Sequence, residues 1–133
     1  MNNTPVKWIS KRQKTVKTSM YGSELVAAKI ATELVMEYRY ILRAMGAEPD
    51  GPALMLGDNN SVVLNCTMPS SVLKKKHNAV AYHRVCEAIA VGILKFAHIP
   101  SEMNYADILT KPLAGPAHYA IVKPLLFWNP SYL

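Results

Sequence analysis

The sequence has few of the features that mark disulfide-rich, zinc-ribbon or membrane proteins. It contains 2 cysteines among 133 residues, and Cys66 and Cys86 do not form a C-x-x-C pair. This argues against a disulfide scaffold and against a zinc ribbon. No apolar run reaches the length of about 20 residues that spans a membrane, and the polar opening MNNTPVKW differs from a signal peptide. We therefore expect an intracellular protein, cytoplasmic or nuclear, with no membrane partner.

Charge is sparse and unevenly placed. Charged residues make up 18% of the chain against 50% hydrophobic residues, which is typical of a folding sequence. The net charge is +6, and no acidic residue precedes Glu24. The basic segments are either solvated surfaces or contacts for nucleic-acid phosphates, and composition alone does not choose between them. The candidate phosphate-binding residues are Lys11, Arg12, Lys14, Lys17, Lys74, Lys75 and Lys76.

Predicted strands and helices alternate along the chain. Strands are expected where β-forming residues cluster, and helices where apolar residues recur at steps of three and four. The predicted strands are residues 5–18, 53–56 and 92–99, and the predicted helices are residues 21–45, 59–65, 75–91 and 106–113. The apolar run at 53–56 lacks alternation, which is typical of a strand covered on both faces. This order predicts an α/β fold with a mixed sheet of about three strands flanked by helices.

Three carboxylates stand at helix starts or at a strand end. Glu24 continues an apolar stripe of the first predicted helix, where a buried carboxylate needs a partner, a proton or a cation. Asp58 follows a predicted strand, and ligands gather at such ends in open α/β sheets. Asp107 opens the last predicted helix. Each also has a local interpretation: Asp58 as an N-cap, and Glu24 and Asp107 as first-turn acids stabilised by the helix dipole.

Together, these three carboxylates suggest a site that binds a cation. The predicted crossovers bring helix starts and strand ends together, and crowded carboxylates repel one another. A hard cation such as Mg²⁺ is the usual reason to assemble them. The residues alone leave both the local and the metal-binding interpretation open.

Several stretches, in the same order and at compatible spacing, carry a family resemblance. The matched stretches are residues 6–16 (VKWISKRQKTV), 23–25, 58–62 (DNNSV), 75–92, 98–101 and 106–113 (ADILTKPL). On these motifs the chain resembles the ribonuclease H domain of copia-type retrotransposon polyproteins, over roughly residues 6–113.

The resemblance implies a ribonuclease-H-like three-layer fold over residues 1–115, followed by a tail at 116–133. It implies a carboxylate site that holds two Mg²⁺ ions, or Mn²⁺ in their place, and hydrolyses the RNA strand of an RNA–DNA hybrid. By the matched motifs, Glu24, Asp58 and Asp107 are the expected catalytic metal ligands. Asn59 joins the basic residues as an expected contact to the hybrid.

The family pattern also contains two opening strands and a first aspartate that have no counterpart in these residues. The resemblance therefore implies an N-terminally truncated domain whose own nuclease activity is weak or absent. An upstream polyprotein segment or a second copy is the expected source of the missing strands. The competing hypothesis is a non-catalytic remnant that binds nucleic acid or self-associates.

Overall fold

The computed structural model describes residues 5–10, 20–71 and 78–126. The chain divides into a central unit, Thr15–His98, and a terminal unit that joins Met1–Lys14 to Ile99–Leu133. The central unit contains α1 (Met20–Ala44), β1 (Ala53–Gly57), α2 (Asn60–Thr67), α3 (Ala79–Ala90) and β2 (Leu94–His98). The terminal unit contains 3₁₀ turns at Ser101–Met103 and Tyr105–Leu109, followed by α4 (Gly115–Leu126).

A parallel strand pair organises the central unit. β1 lies beside β2, from Ala53 opposite Leu94 to Gly57 opposite His98. Parallel strands need a long crossover connection, and here α2 and α3 supply it. The predicted α/β class is confirmed, but the described residues form a two-stranded parallel sheet rather than a mixed sheet of three strands. Residues 5–10 form no strand, and the rest of the predicted opening strand lies outside the described residues.

Only one face of this sheet is well buried. Met55, Leu94 and Phe96 point into the core, whereas Leu54 and Leu56 are 64% and 48% exposed. The prediction that residues 53–56 are covered on both faces was therefore wrong. A run of four apolar residues does not reveal which face the helices cover, because every position in it looks equally suited to burial.

The core of the central unit lies between the helices and the buried sheet face. α1 contributes a buried stripe that includes Leu25, Ala28 and Thr32. The predicted stripe through Ala28, Ala31, Val35, Tyr38 and Leu42 shares Ala28 with it, and Ala31 packs against the core as a partly buried residue. Thr32 is fully buried because its hydroxyl donates a hydrogen bond to the Ala28 carbonyl oxygen at 2.8 Å. The core cluster is Leu25, Ala28, Met55, Val62, Val63, Cys66, Ala81, Tyr82, Val85, Ala88, Leu94 and Phe96.

Two glycines end the long helices. Gly46 follows α1 with a φ of 75°, and Gly92 follows α3 with a φ of 73°. After α3, the Gly92 amide donates to the Ile89 carbonyl and the Ile93 amide donates to the Ala88 carbonyl. This paired pattern needs a left-handed residue, which glycine adopts without steric cost. The prediction that Gly92 ends the third helix is confirmed.

In the terminal unit, the helical segments differ from the prediction. Residues 105–109 form a 3₁₀ turn rather than an α-helix over 106–113. Residues 115–126, predicted as part of a tail without a period, form α4, which buries Ile121. Pro116 lies in the first turn of α4, where its missing amide hydrogen costs nothing, so it starts this helix rather than breaking one. The Ser10 hydroxyl also donates to the Leu109 carbonyl oxygen at 2.8 Å.

Across the described ranges, no helix is both long enough and apolar enough to cross a membrane.

The close approach of Gly57 to Phe96 gives a first testable prediction. A Cβ at position 57 would lie 2.9 Å from Cε2 of the Phe96 ring. We expect Gly57→Ala to lower the free energy of unfolding by about 1–3 kcal/mol, because the ring must shift within a packed core. Urea denaturation followed by circular dichroism measures this.

Gly115→Ala is the matched control for that variant. A Cβ at position 115 meets nothing within 4 Å, so we expect a change of less than about 0.5 kcal/mol. Equal losses in the two variants would contradict the proposed steric cause.

Candidate functional site

Asp58 stands at the carboxyl end of β1, in the central unit. It directly follows Gly57, the last residue of the strand, and is half-buried. Asn59, not Asp58, caps α2: its side-chain oxygen accepts a hydrogen bond from the Val62 amide at 3.3 Å. The local interpretation of Asp58 as an N-cap was therefore wrong. Its position is that of a carboxylate at the edge where the ends of parallel strands meet.

Asn59 is the N-cap residue of α2. Its Oδ1 atom is engaged by the Val62 amide, as expected of an N-cap residue. The predicted contact between Asn59 and a nucleic-acid hybrid stays a prediction, and the cap restricts that contact to the remaining polar atoms of the side chain.

Glu24 lies in α1, beyond its first turn. The first turn of α1 holds no acidic residue, so the interpretation of Glu24 as a first-turn acid was wrong. Its side chain is half-buried beside the stripe that contains Leu25. α1, which carries Glu24, packs against both β1 and α2, the two elements that flank Asp58 in the central unit.

Asp107 lies in the terminal unit, within the 3₁₀ turn Tyr105–Leu109, and is buried. Its Oδ2 atom forms an ion pair with Nζ of Lys111 at 2.9 Å, and its carbonyl oxygen accepts from the Lys111 amide at 2.9 Å. The turn is capped by Asn104, whose side chain accepts from the Ala106 amide. The local interpretation of Asp107 as an acid in a first turn agrees with this position.

The three predicted metal ligands are divided between the two units: Glu24 and Asp58 belong to the central unit and Asp107 to the terminal unit. Among residues 5–10, 20–71 and 78–126, no three or more His, Cys, Asp or Glu side chains are grouped so that they could hold a metal ion. Each of the three residues offers carboxylate oxygens, which suit Mg²⁺. Their role as shared metal ligands stays a prediction.

The basic residues that were predicted to bind phosphate lie outside the described residues. This holds for Lys11, Arg12, Lys14 and Lys17, and also for the lysines at 74–76. Their role stays a prediction.

Two relatives place the chain in a larger context. They are retrovirus-related Pol polyproteins from the transposons RE2 and RE1 of Arabidopsis thaliana, each 27% identical to this chain over 117 residues. The chain is homologous to part of a retrotransposon polyprotein. The alignment covers 88% of this chain but 8% of either polyprotein, so the chain spans less than a tenth of the curated relatives it matches. No protein-family model and no solved structure matches it.

Lys111 was not predicted as the partner of Asp107. A signal for this pair was present, because an acid and a lysine four residues apart face each other on a helical turn.

A network of polar side chains that links the helices of the central unit was not predicted either. In this network, Nδ2 of Asn65 donates to the Tyr21 hydroxyl at 3.0 Å, and the Ser71 hydroxyl donates to Oδ1 of Asn65 at 3.0 Å. The Tyr82 hydroxyl donates to the Ser71 carbonyl oxygen at 3.1 Å. No spacing rule connects residues so far apart.

The Asp107–Lys111 ion pair gives a second prediction. We expect Lys111→Met to lower the free energy of unfolding by about 1 kcal/mol, because it removes the lysine from a buried carboxylate. Adding Asp107→Asn should recover part of this loss, since the double variant no longer buries that charge. Urea denaturation of the three variants forms the double-mutant cycle.

Lys123→Met serves as the control, because Lys123 is an exposed lysine of the same unit that contacts the Tyr119 ring. We expect it to change stability by less than about 0.5 kcal/mol. Additive effects of the two substitutions at 107 and 111 would show that the ion pair contributes nothing.

Proposed function

We propose that this chain is the ribonuclease-H-like region of a retrotransposon polyprotein, and that by itself it binds RNA–DNA hybrids with weak or no cleavage. One observation carries the proposal: Asp58 stands at the carboxyl end of a parallel strand pair in a chain homologous to retrotransposon Pol polyproteins. The collinear motifs around Trp8, Asp58 and Asp107 support the ribonuclease H assignment within the polyprotein.

The position of Asp58 is the physical reason to expect nucleic acid there. In open α/β sheets, ligands bind beyond the carboxyl ends of the strands, where loops and helix starts converge. The helix that follows, α2, has its first amides beside Asp58, with Asn59 as the cap. An A-like hybrid would be recognised by its shape, its phosphates and its 2′-hydroxyls rather than by sequence.

Metal chemistry is where this chain departs from the family pattern. When bound, Mg²⁺ would activate a water and stabilise the leaving oxygen. Nζ of Lys111 lies against the Asp107 carboxylate at 2.9 Å, so this carboxylate must give up an ion pair before it can bind a cation. We therefore assign hydrolysis neither to these residues nor to a metal step, and propose binding as the property of this chain.

The net charge of +6 supports binding to a polyanion. Each lysine or arginine that neutralises a phosphate releases a counterion, which makes affinity fall steeply as salt rises. The acid-free opening segment and the cluster at 74–77 concentrate this charge in the sequence.

A cleavage and binding assay tests the proposal. The 133-residue chain is incubated with an end-labelled RNA–DNA hybrid and Mg²⁺, and fluorescence anisotropy measures binding from about 50 to 200 mM salt. We expect affinity to fall at least tenfold across that range. We expect no RNA cleavage above the background of Asp58→Asn.

Asp50→Asn is the matched control, because Asp50 is an exposed loop carboxylate of the same chemistry. Cleavage that is lost in Asp58→Asn and kept in Asp50→Asn would contradict the proposed inactivity and reveal a working nuclease. No binding to hybrid at 50 mM salt would contradict the whole proposal and favour a protein-interaction remnant.

The basic cluster at 74–76 provides a separate prediction. Replacing Lys74, Lys75 and Lys76 together by Gln should weaken hybrid binding more than tenfold at low salt. It should also reduce the slope of log affinity against log salt concentration by roughly one unit for each phosphate that is no longer neutralised. The matched control replaces the scattered lysines Lys29, Lys95 and Lys123 by Gln, which removes the same charge. Equal weakening in both triple variants would show that total charge, not this cluster, drives binding.

A further inference from the structure

Two cysteines face each other between helices of the central unit. Cys66 lies at the end of α2 and Cys86 lies on α3, 20 positions further along the chain. The Cys86 thiol donates a hydrogen bond to the Cys66 carbonyl oxygen at 3.6 Å, and Cys86 is close enough to Cys66 to contribute to the raised pKa of the Cys66 thiol. Both are free thiols. α2 packs directly against α3, and this packing brings the Cys86 thiol to the backbone of Cys66.

We propose that Cys66 and Cys86 form a reversible intramolecular disulfide when the protein meets a low-molecular-weight disulfide such as glutathione disulfide. The pair is a modification site formed by the packing of α2 against α3, and the proposal does not depend on nucleic-acid binding.

The order of the two steps follows from exposure. Cys86 is half-buried and Cys66 is buried, so Cys86 is the thiol that an outside reagent reaches. The Cys86 thiolate attacks one sulfur of glutathione disulfide, forms a mixed disulfide and releases one glutathione thiolate. The Cys66 thiolate then attacks the Cys86 sulfur and releases the second glutathione. Overall, the two cysteines lose two electrons and two protons, and one glutathione disulfide becomes two glutathione thiols.

The surroundings of Cys66 make the second step the slower one. Burial, and then the neighbouring Cys86, raise the pKa of the Cys66 thiol to about 12. Only a small fraction is therefore ionised at neutral pH, and the thiolate is the attacking species. We expect the mixed disulfide on Cys86 to form first and then to decay into the Cys66–Cys86 disulfide.

Mass spectrometry of the full chain tests the proposal. The reduced protein is incubated with glutathione disulfide near pH 8, quenched with an alkylating reagent at intervals, and digested for peptide mapping. We expect a glutathione adduct on Cys86, then a cross-linked peptide pair that contains Cys66 and Cys86, and full return to two alkylatable thiols with dithiothreitol. The proposal would be overturned if both cysteines were still free to react with the alkylating reagent at the end of the incubation. It would also be overturned if the disulfides joined two chains, which a non-reducing gel shows.

Two single variants separate the roles of the cysteines. Cys66→Ser should stop at a stable glutathione adduct on Cys86, because the resolving thiol is absent. Cys86→Ser should take up glutathione at least tenfold more slowly, because only the buried thiol remains. The opposite pattern would overturn the proposed order, and circular dichroism verifies that each variant is folded. Cys66→Ala gives a second test if the serine variant does not fold.

Discussion

The parallel pairing of β1 with β2 is the constraint on which the central unit depends. Because both strands run in one direction, the chain must cross from the end of one to the start of the other, and α2 and α3 occupy that crossover. The register sets Gly57 beside the Phe96 ring, closer than any Cβ would allow. It also places both strand ends at one edge, where Asp58 begins the next segment. Core packing and the candidate site thus have one origin.

Much of this arrangement could be predicted from local signals. Gly92 ends α3 because a left-handed residue is needed there, and the strand–helix alternation of the central unit follows from apolar periodicity and breaks. The buried stripe of α1 was predicted in part: Ala28 belongs to the predicted and to the observed stripe, whereas Leu25 and Thr32 were not predicted. It contains Thr32, a polar residue made compatible with burial only by its hydrogen bond to Ala28. A count of apolar residues has no means of selecting that position.

The terminal unit was harder to predict, because a proline can either end a helix or begin one. Pro116 disfavours a helix that reaches it from before and favours one that begins at it, and sequence alone does not say which applies. The 3₁₀ turn Tyr105–Leu109 ends early, and α4 then begins at Gly115.

The exposure of Leu54 and Leu56 in the central unit could not be predicted for a different reason. Which face of the sheet the helices cover is set by packing partners that are distant in the sequence.

The candidate site shows where motif matching and local physics diverge. Asp58, Glu24 and Asp107 were all assigned from one family pattern, yet their surroundings differ. Asn59 takes the capping role, and Lys111 provides the Asp107 carboxylate with a counter-charge. A carboxylate that already holds an ammonium must give up that ion pair before it can bind a cation, and the cost rises with its burial. The Asp107–Lys111 pair therefore weakens any cation site built on Asp107.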